Sequence, residues 1–299
     1  MSTATVEPTT PEADVRIVPQ PAWRRFISRN KLGTFGIILL GAILILSFIG
    51  PLFLPDKNST RLDMVYCQPS SEAWLGCDNR GRDIWYQIVN GGGQLILVSA
   101  SAALISTFIA ITFGALAALI GGKFESVVLI ITEVVLTIPS IILLAVLAAF
   151  VSLNSAALLV VILAVTGWPT LLRAVRAQVL SLKEREFVEA ARMLDLGMMR
   201  ILFREVLPNM ASYILINFVF GMTGAIYGQV VLYFLGLVSL SGDNWGLMVD
   251  QAYRQGAAFS PDGVMYLIAP IVMIVLLMWS LTLVARALED VFNPRLREV

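Results

Sequence analysis

The stretch Ser181-Leu182-Lys183-Glu184-Arg185-Glu186-Phe187-Val188-Glu189-Ala190-Ala191-Arg192-Met193-Leu194-Asp195-Leu196-Gly197, continuing to Val206-Leu207-Pro208-Asn209, is a polar island in a chain that is 58% hydrophobic and 14% charged. Were it to cross a bilayer, Lys183, Glu184, Arg185, Glu186, Glu189, Arg192, Asp195, Arg200 and Arg204 would all lie in hydrocarbon. It therefore lies to one side of the membrane, and the apolar sequence around it supplies the crossings.

Working outward, six stretches of the 299 residues are long and apolar enough to span ~30 Å of hydrocarbon, which takes roughly 20 residues at ~1.5 Å each. They run about Thr34–Leu54, Gln94–Gly121, Val127–Val151, Ser155–Leu172, Met210–Leu237 and Val264–Val284, with the island between the fourth and fifth. The expected fold is all-α, a polytopic membrane protein with six transmembrane helices. The 21 Lys and Arg and 21 Asp and Glu residues avoid these spans, with Glu133 the single exception.

Short cytoplasmic loops collect Lys and Arg. An N-terminus inside puts Arg24, Arg25, Lys31, Lys123, Arg173, Arg176, Arg286 and the whole island on the cytoplasmic side, leaving only Lys57, Arg61, Arg80, Arg82 and Arg254 outside. Both termini are then cytoplasmic. The domain reading is a disordered tail at 1–21, an interfacial helix and first span at 22–54, an external loop at 55–90, and a five-helix domain at 91–299 containing a loop at 181–207. The Arg24-Arg25 pair does not read as an export signal, since no small-residue cleavage site follows before Pro51.

The external loop holds both cysteines, Cys67 and Cys77. On an oxidising side they form a disulfide candidate, two free thiols being the other reading. With no His in the chain, no four-ligand metal set and no imidazole base is available.

As a helix, the island places Phe187, Ala190, Ala191 and Leu194 on one face at i, i+3, i+4 and i+7. So short a helix is expected to seat in a groove of another protein, with Glu189 at the rim and the small Ala190 and Ala191 admitting close approach. A surface helix resting on headgroups is the competing reading.

The island with its flanks resembles the "EAA" loop of the membrane subunits of ABC importers, the element gripped by a separate ATPase. Trp168-Pro169 upstream, Leu180 to Glu186 leading in, and the Leu207-Pro208-Asn209 exit all match. Residues Trp74 to Asp83 are similar to the "LGTDxxGRD" signature of C-type subunits of dipeptide and oligopeptide importers, with Cys77 where the family has Thr. Thr137 to Ser140, Phe234 to Leu237, Asn244-Trp245-Gly246 and Glu289 to Arg295 look like further landmarks, so the resemblance covers about Leu32 to Arg297. It departs at Asp195, where the family has a helix-ending Gly. Asp can take the left-handed conformation at modest cost, or the turn is displaced toward Gly197.

The resemblance implies a non-catalytic inner-membrane permease subunit with several partners. These are a second, related permease subunit, two ABC ATPases that hold ATP and Mg, an extracytoplasmic solute-binding protein, and a peptide or oligosaccharide substrate; no nucleic acid is implied. The chain has no phosphate-binding loop of its own, because Gly122-Lys123 is followed by Phe124 and preceded five residues earlier by Ala117. Coupling then falls to Phe187, Glu189, Ala190, Ala191, Leu194, Asp195 and Gly197.

Asn217, Gly221, Gly224 and Gly228 form one face of the fifth span, with Thr223 and Tyr227 beside it. This face reads either as a packing groove or as a wall of the translocation path, and both can hold at different depths. Glu133 reads as an inner-mouth residue or a partner of Arg173 or Arg176, with a proton site the further alternative. A six-helix secondary transporter is the reading from another class. It would call for midplane ionisable residues and an inverted repeat, and neither is visible.

Overall fold

The computed structural model describes residues 30–54, 59–240 and 242–292. The expected tail and the interfacial helix at 22–29 lie outside them. Among the described residues five helices are long and apolar enough to cross a membrane, or six if a pair bent by 92° is counted as one span.

Helix α1 (Lys31–Phe48) is capped by Asn30, whose Oδ1 accepts from the Gly33 amide at 2.7 Å. The same side chain donates to Asp290 Oδ2 at 2.7 Å, tying α1 to the last helix, α11 (Val264–Phe292). The two helices run antiparallel and cross closely. A Cβ at Gly33 would lie 2.6 Å from Ala287 Cβ, and one at Gly36 would lie 2.5 Å from Leu283 Cβ.

Helix α2 (Ile84–Ile120) is 37 residues long. It begins ten residues before the second span read from hydropathy, so the external loop ends at Asp83 and not at residue 90. Gln87, Asn90 and Gly91 to Gly93 lower the local hydropathy, yet each is accommodated in the helix. Asp83 Oδ1 caps it by accepting from the Trp85 amide at 2.8 Å. Gln87 donates to Asp78 Oδ2 at 3.2 Å and Asn90 to the Tyr86 carbonyl at 2.8 Å. Gly91 and Gly92 make room for Trp245, and a Cβ at Gly92 would lie 2.6 Å from its Cζ2 and also strike Ser47 Oγ.

The third predicted span, Val127–Val151, is not one helix. It is α3 (Gly122–Thr137) followed by α4 (Ser140–Phe150), set 92° apart. The break falls at Pro139, which has no N–H to donate and disfavours helical geometry at Ile138 before it. Helix α5 (Ala156–Leu182) carries Pro169 within it and continues ten residues past the fourth predicted span. Arg176 on that extension pairs with Glu125 of α3, its Nε 2.6 Å from Oε1. The helices α9 (Ala211–Phe234) and α10 (Trp245–Arg254) precede α11.

Two ends result. One, the basic end, holds Lys123, Arg173, Arg176 and the 183–209 segment. The other holds the loop before α2, in which Cys67 and Cys77 are disulfide-bonded with their Cα atoms 4.8 Å apart. There Asp78, fully buried, accepts from the Arg80 and Arg82 amides at 2.8 Å and pairs with Arg82 Nε at 2.8 Å. Arg82 also approaches Asp243 at 3.9 Å, which fastens this loop to the start of α10. Burial, and after it the Asp78 carboxylate, push the Tyr66 hydroxyl above its ordinary pKa, so it stays neutral beside that carboxylate. Asn244-Trp245-Gly246, one of the landmarks read above, lies at the start of α10 and packs into the core: Trp245 is fully buried and its Nε1 donates to the Ile88 carbonyl at 2.7 Å.

Candidate functional site

The polar island folds as α6 (Glu186–Met193), α7 (Met198–Ile201), a π turn at Leu202–Val206 and a short α8 (Leu207–Asn209). The wide turn precedes Pro208, whose ring would clash with the Arg204 carbonyl in a regular helix.

Helix α6 is amphipathic, but its two apolar edges do different things. Val188 and Ala191 are buried, 1% and 6% exposed, against Ile201, Leu202, Val206 and the ends of α2 and α5. This corrects the expectation that the helix finds no cover in its own chain and that Ala191 faces a partner. The reason is a register choice: Phe187, Ala190 and Leu194 share a face, Val188 and Ala191 share the next, and the bundle takes the second. The edge left outside carries Leu194 at 74% exposure, Met193 at 79% and Phe187 at 37%. Ala190 and Glu189 are exposed beside them.

The helix ends where the family glycine would stand. Asp195 adopts φ 51, and the Leu196 amide returns to the Ala191 carbonyl at 3.2 Å. That is the six-to-one bond of a left-handed helix ending, completed by Leu196 packing on the same core. The turn is not displaced to Gly197, which has φ −58 and begins α7. Beyond it, Met198, Met199 and Phe203 are also exposed, at 48%, 53% and 61%. Sequence reading missed these, although large apolar side chains inside a charged, non-spanning segment were the available signal.

A groove of about 390 Å³ opens between α2, α4, α5 and α9. It brings together Asn217, Gly221, Gly224, Tyr227 and Gly228, and leaves out Thr223 and Glu133. Thr223 instead bonds the Val219 carbonyl at 3.1 Å within its own helix. The glycines divide by depth. A Cβ at Gly228 would meet Leu163 at 3.0 Å and Leu144 at 3.2 Å, whereas one at Gly224 would meet nothing within 4 Å. Gly228 is thus a packing position and Gly224 faces open space.

Hydroxyls that the sequence reading did not assign to the path line the same groove: Ser106, Ser140, Thr166 and Thr170. Their signal was polarity within otherwise apolar spans. Among the described residues, no charged side chain lines the groove. The 92° break at Pro139 is what turns Ser140, Ile141 and Leu144 of α4 toward it.

Glu133 is exposed on α3 and does not pair with Arg176, which is taken by Glu125. It lies 11 residues from the start of α3.

Comparison with known proteins agrees with this arrangement. A family model described as "Binding-protein-dependent transport system inner membrane component" matches residues 110–298, and one described as "N-terminal TM domain of oligopeptide transport permease C" matches residues 20–68. A Brucella ovis chain provisionally named a peptide permease protein is 33% identical over 91% of this chain and 89% of its own length. The dipeptide transport system permease protein DppC of Bacillus subtilis is 30% identical over 93% and 86%, respectively. The oligopeptide transport system permease protein OppC of the same organism is 29% identical over 93% and 90%. Match and architecture coincide over nearly the whole chain, and the chain belongs to the family of binding-protein-dependent transport system inner membrane components, as a multi-pass permease subunit.

Proposed function

We propose that this chain is one of two permease subunits of an ATP-driven importer of di- or oligopeptides, forming half of the path and receiving motion from separate ATPases at the 183–209 segment. The basic end is cytoplasmic, and the disulfide end faces an extracytoplasmic solute-binding protein. The observation that carries this reading is the divided surface of α6. One edge is welded into the bundle through Val188 and Ala191, while Leu194, Met193 and Phe187 stand outside it. An apolar edge beyond the hydrocarbon, on a helix fixed to α2 and α5, suits a socket in another polypeptide.

Peptide is favoured over oligosaccharide by the names of the relatives, dipeptide and oligopeptide permease proteins among them. ATP and Mg belong to the ATPase subunits, and this chain performs no catalysis. The charge-free groove, with its hydroxyls and open Gly224, suits a polar solute passing without tight ionic capture.

The test is reconstitution in liposomes. Alone, the chain neither hydrolyses ATP nor takes up labelled peptide; with a paired permease subunit, two ATPases and a receptor, uptake follows ATP. Gradient-driven uptake by this chain alone would refute the proposal in favour of a secondary transporter.

A further inference from the structure

We infer that the Cys67–Cys77 disulfide is a thiol-exchange site, and that its reduction by a low-molecular-weight thiol lowers uptake by undoing a strap between the starts of α2 and α11. The inference rests on the importer reading, which puts this end on the extracytoplasmic side and supplies the uptake that is controlled.

The strap is a thinly held arm. Residues 61–68 run back along 76–81, where the Arg61 amide donates to the Arg80 carbonyl at 2.9 Å, the Tyr66 amide to the Asp78 carbonyl at 3.1 Å and the Cys77 amide to the Cys67 carbonyl at 3.1 Å. Leu62 and Val65 are exposed, so the arm buries little apolar surface to hold itself down. The disulfide is the cross-link that closes it.

Both ends of the arm are attached to helices. At one end Gln68 donates to the Asp262 carboxylate, and a Cβ at Gly263 would lie 3.1 Å from the Tyr66 ring, so the arm rests on the residues that lead into α11. At the other end Cys77 stands in the turn that starts α2. The Ile84 amide donates to the Gly76 carbonyl at 3.1 Å and the Asp78 amide to the Arg82 carbonyl at 2.9 Å. The disulfide therefore completes a tie from α2 to α11 that runs outside the helix bundle. With the bond open, the tie depends on a few hydrogen bonds, of which the Gln68–Asp262 pair is exposed to water.

The two sulfurs are not equivalent. Cys67 is half-buried, whereas Cys77 is 2% exposed. An incoming thiolate therefore attacks Cys67 Sγ, forming a mixed disulfide and expelling Cys77 as a thiolate that takes a proton from water. Cys77 lies in the wall of a cavity of about 430 Å³ that Arg61, Ser71 and Asp83 also line, a polar outlet for the departing sulfur. A second thiol then displaces Cys67 and carries the disulfide away. Two thiols are oxidised to one disulfide, and their two electrons and two protons end on Cys67 and Cys77.

The test applies dithiothreitol to the reconstituted importer and removes it before receptor and ATP are added, with free thiols read by alkylation and peptide mass spectrometry. Both cysteines are expected to become alkylated without denaturant, uptake to fall at least fivefold, and reoxidation to restore it. A pair that stays oxidised until the chain is denatured would overturn the inference, as would a reduced pair with unchanged uptake. An importer carrying Cys67→Ser together with Cys77→Ser is expected to show the same low uptake and no response to the reagent, which separates this bond from thiols on the ATPases. Full uptake by that variant, or further loss on adding dithiothreitol, would also overturn it. The monothiol mercaptoethanol, quenched with acid, should leave its adduct on Cys67; an adduct on Cys77 would refute the point of attack. Uptake by the untreated, oxidised importer judges the importer reading separately.

Discussion

Leu194→Ala and Val188→Ala remove similar amounts of apolar side chain from one short helix, and they should fail in opposite ways. Leu194 is 74% exposed in the chain by itself, and Val188 is 1% exposed. Fully burying a leucine is worth about 1.5–3 kcal/mol, so seating the exposed three-quarters in an ATPase socket contributes about 1–2 kcal/mol. Since 1.4 kcal/mol is a factor of ten, Leu194→Ala should weaken binding of the ATPase pair roughly tenfold, with unfolding of the permease unchanged. Val188→Ala instead leaves a cavity against Ile201, Leu202 and Val206, at a cost of about 2 kcal/mol in folding. Its effect on ATPase affinity should be within twofold wherever the chain remains folded. The assay is titration of purified ATPase pair onto the permease pair in nanodiscs, alongside thermal unfolding of each variant. If Leu194→Ala left the affinity unchanged, or Val188→Ala weakened it more while the fold persisted, the division of α6 into an anchoring and a docking edge would be refuted.

Glu189→Lys reverses a charge on the exposed side of α6 and should uncouple uptake from ATP hydrolysis while insertion into the membrane is unaffected; unchanged uptake would show that this segment does not couple. Gly224→Leu projects a side chain into the open groove and should lower uptake at least tenfold with normal expression, which a transport assay beside a quantitative blot reads directly. Gly92→Ala drives a Cβ against a Trp245 ring held by its bond to the Ile88 carbonyl. It should destabilise the chain by about 1–3 kcal/mol and reduce its accumulation. Cys67 and Cys77 should resist alkylation under non-reducing conditions, and reduction should cost about 3 kcal/mol or less for so short a ring.

The number of crossings was legible because hydrocarbon thickness sets a minimum apolar length. Helix length was not, since polar residues extend a helix wherever their groups are satisfied. Gln87 and Asn90 do so at the start of α2, and Arg176, paired with Glu125, does so at the end of α5. The 92° bend at Pro139 goes with the packing of α4 on α5 and α9, which hydropathy does not encode. Helix α6 was legible as amphipathic. Its orientation was not, because i, i+3 spacing fits two adjacent faces and only the bundle selects between them. The two roles of the glycine stripe were both readable, but assigning them to Gly224 and Gly228 needed the neighbouring helices. The burial of Trp245 was not legible, because its cover comes from Ile88 and Gly92, far away in sequence.

Helix α2 runs unbroken for 37 residues, roughly 55 Å, from the Asp83 cap beside the disulfide loop to the wall on which Val188 and Ala191 rest. A continuous strut of that length acts as a lever: a tilt of about ten degrees at one extremity sweeps the other through nearly 10 Å. With Arg82 clamping its far end to the start of α10, the extremities are mechanically geared, and a push at the basic end arrives at the disulfide end without any hinge in between.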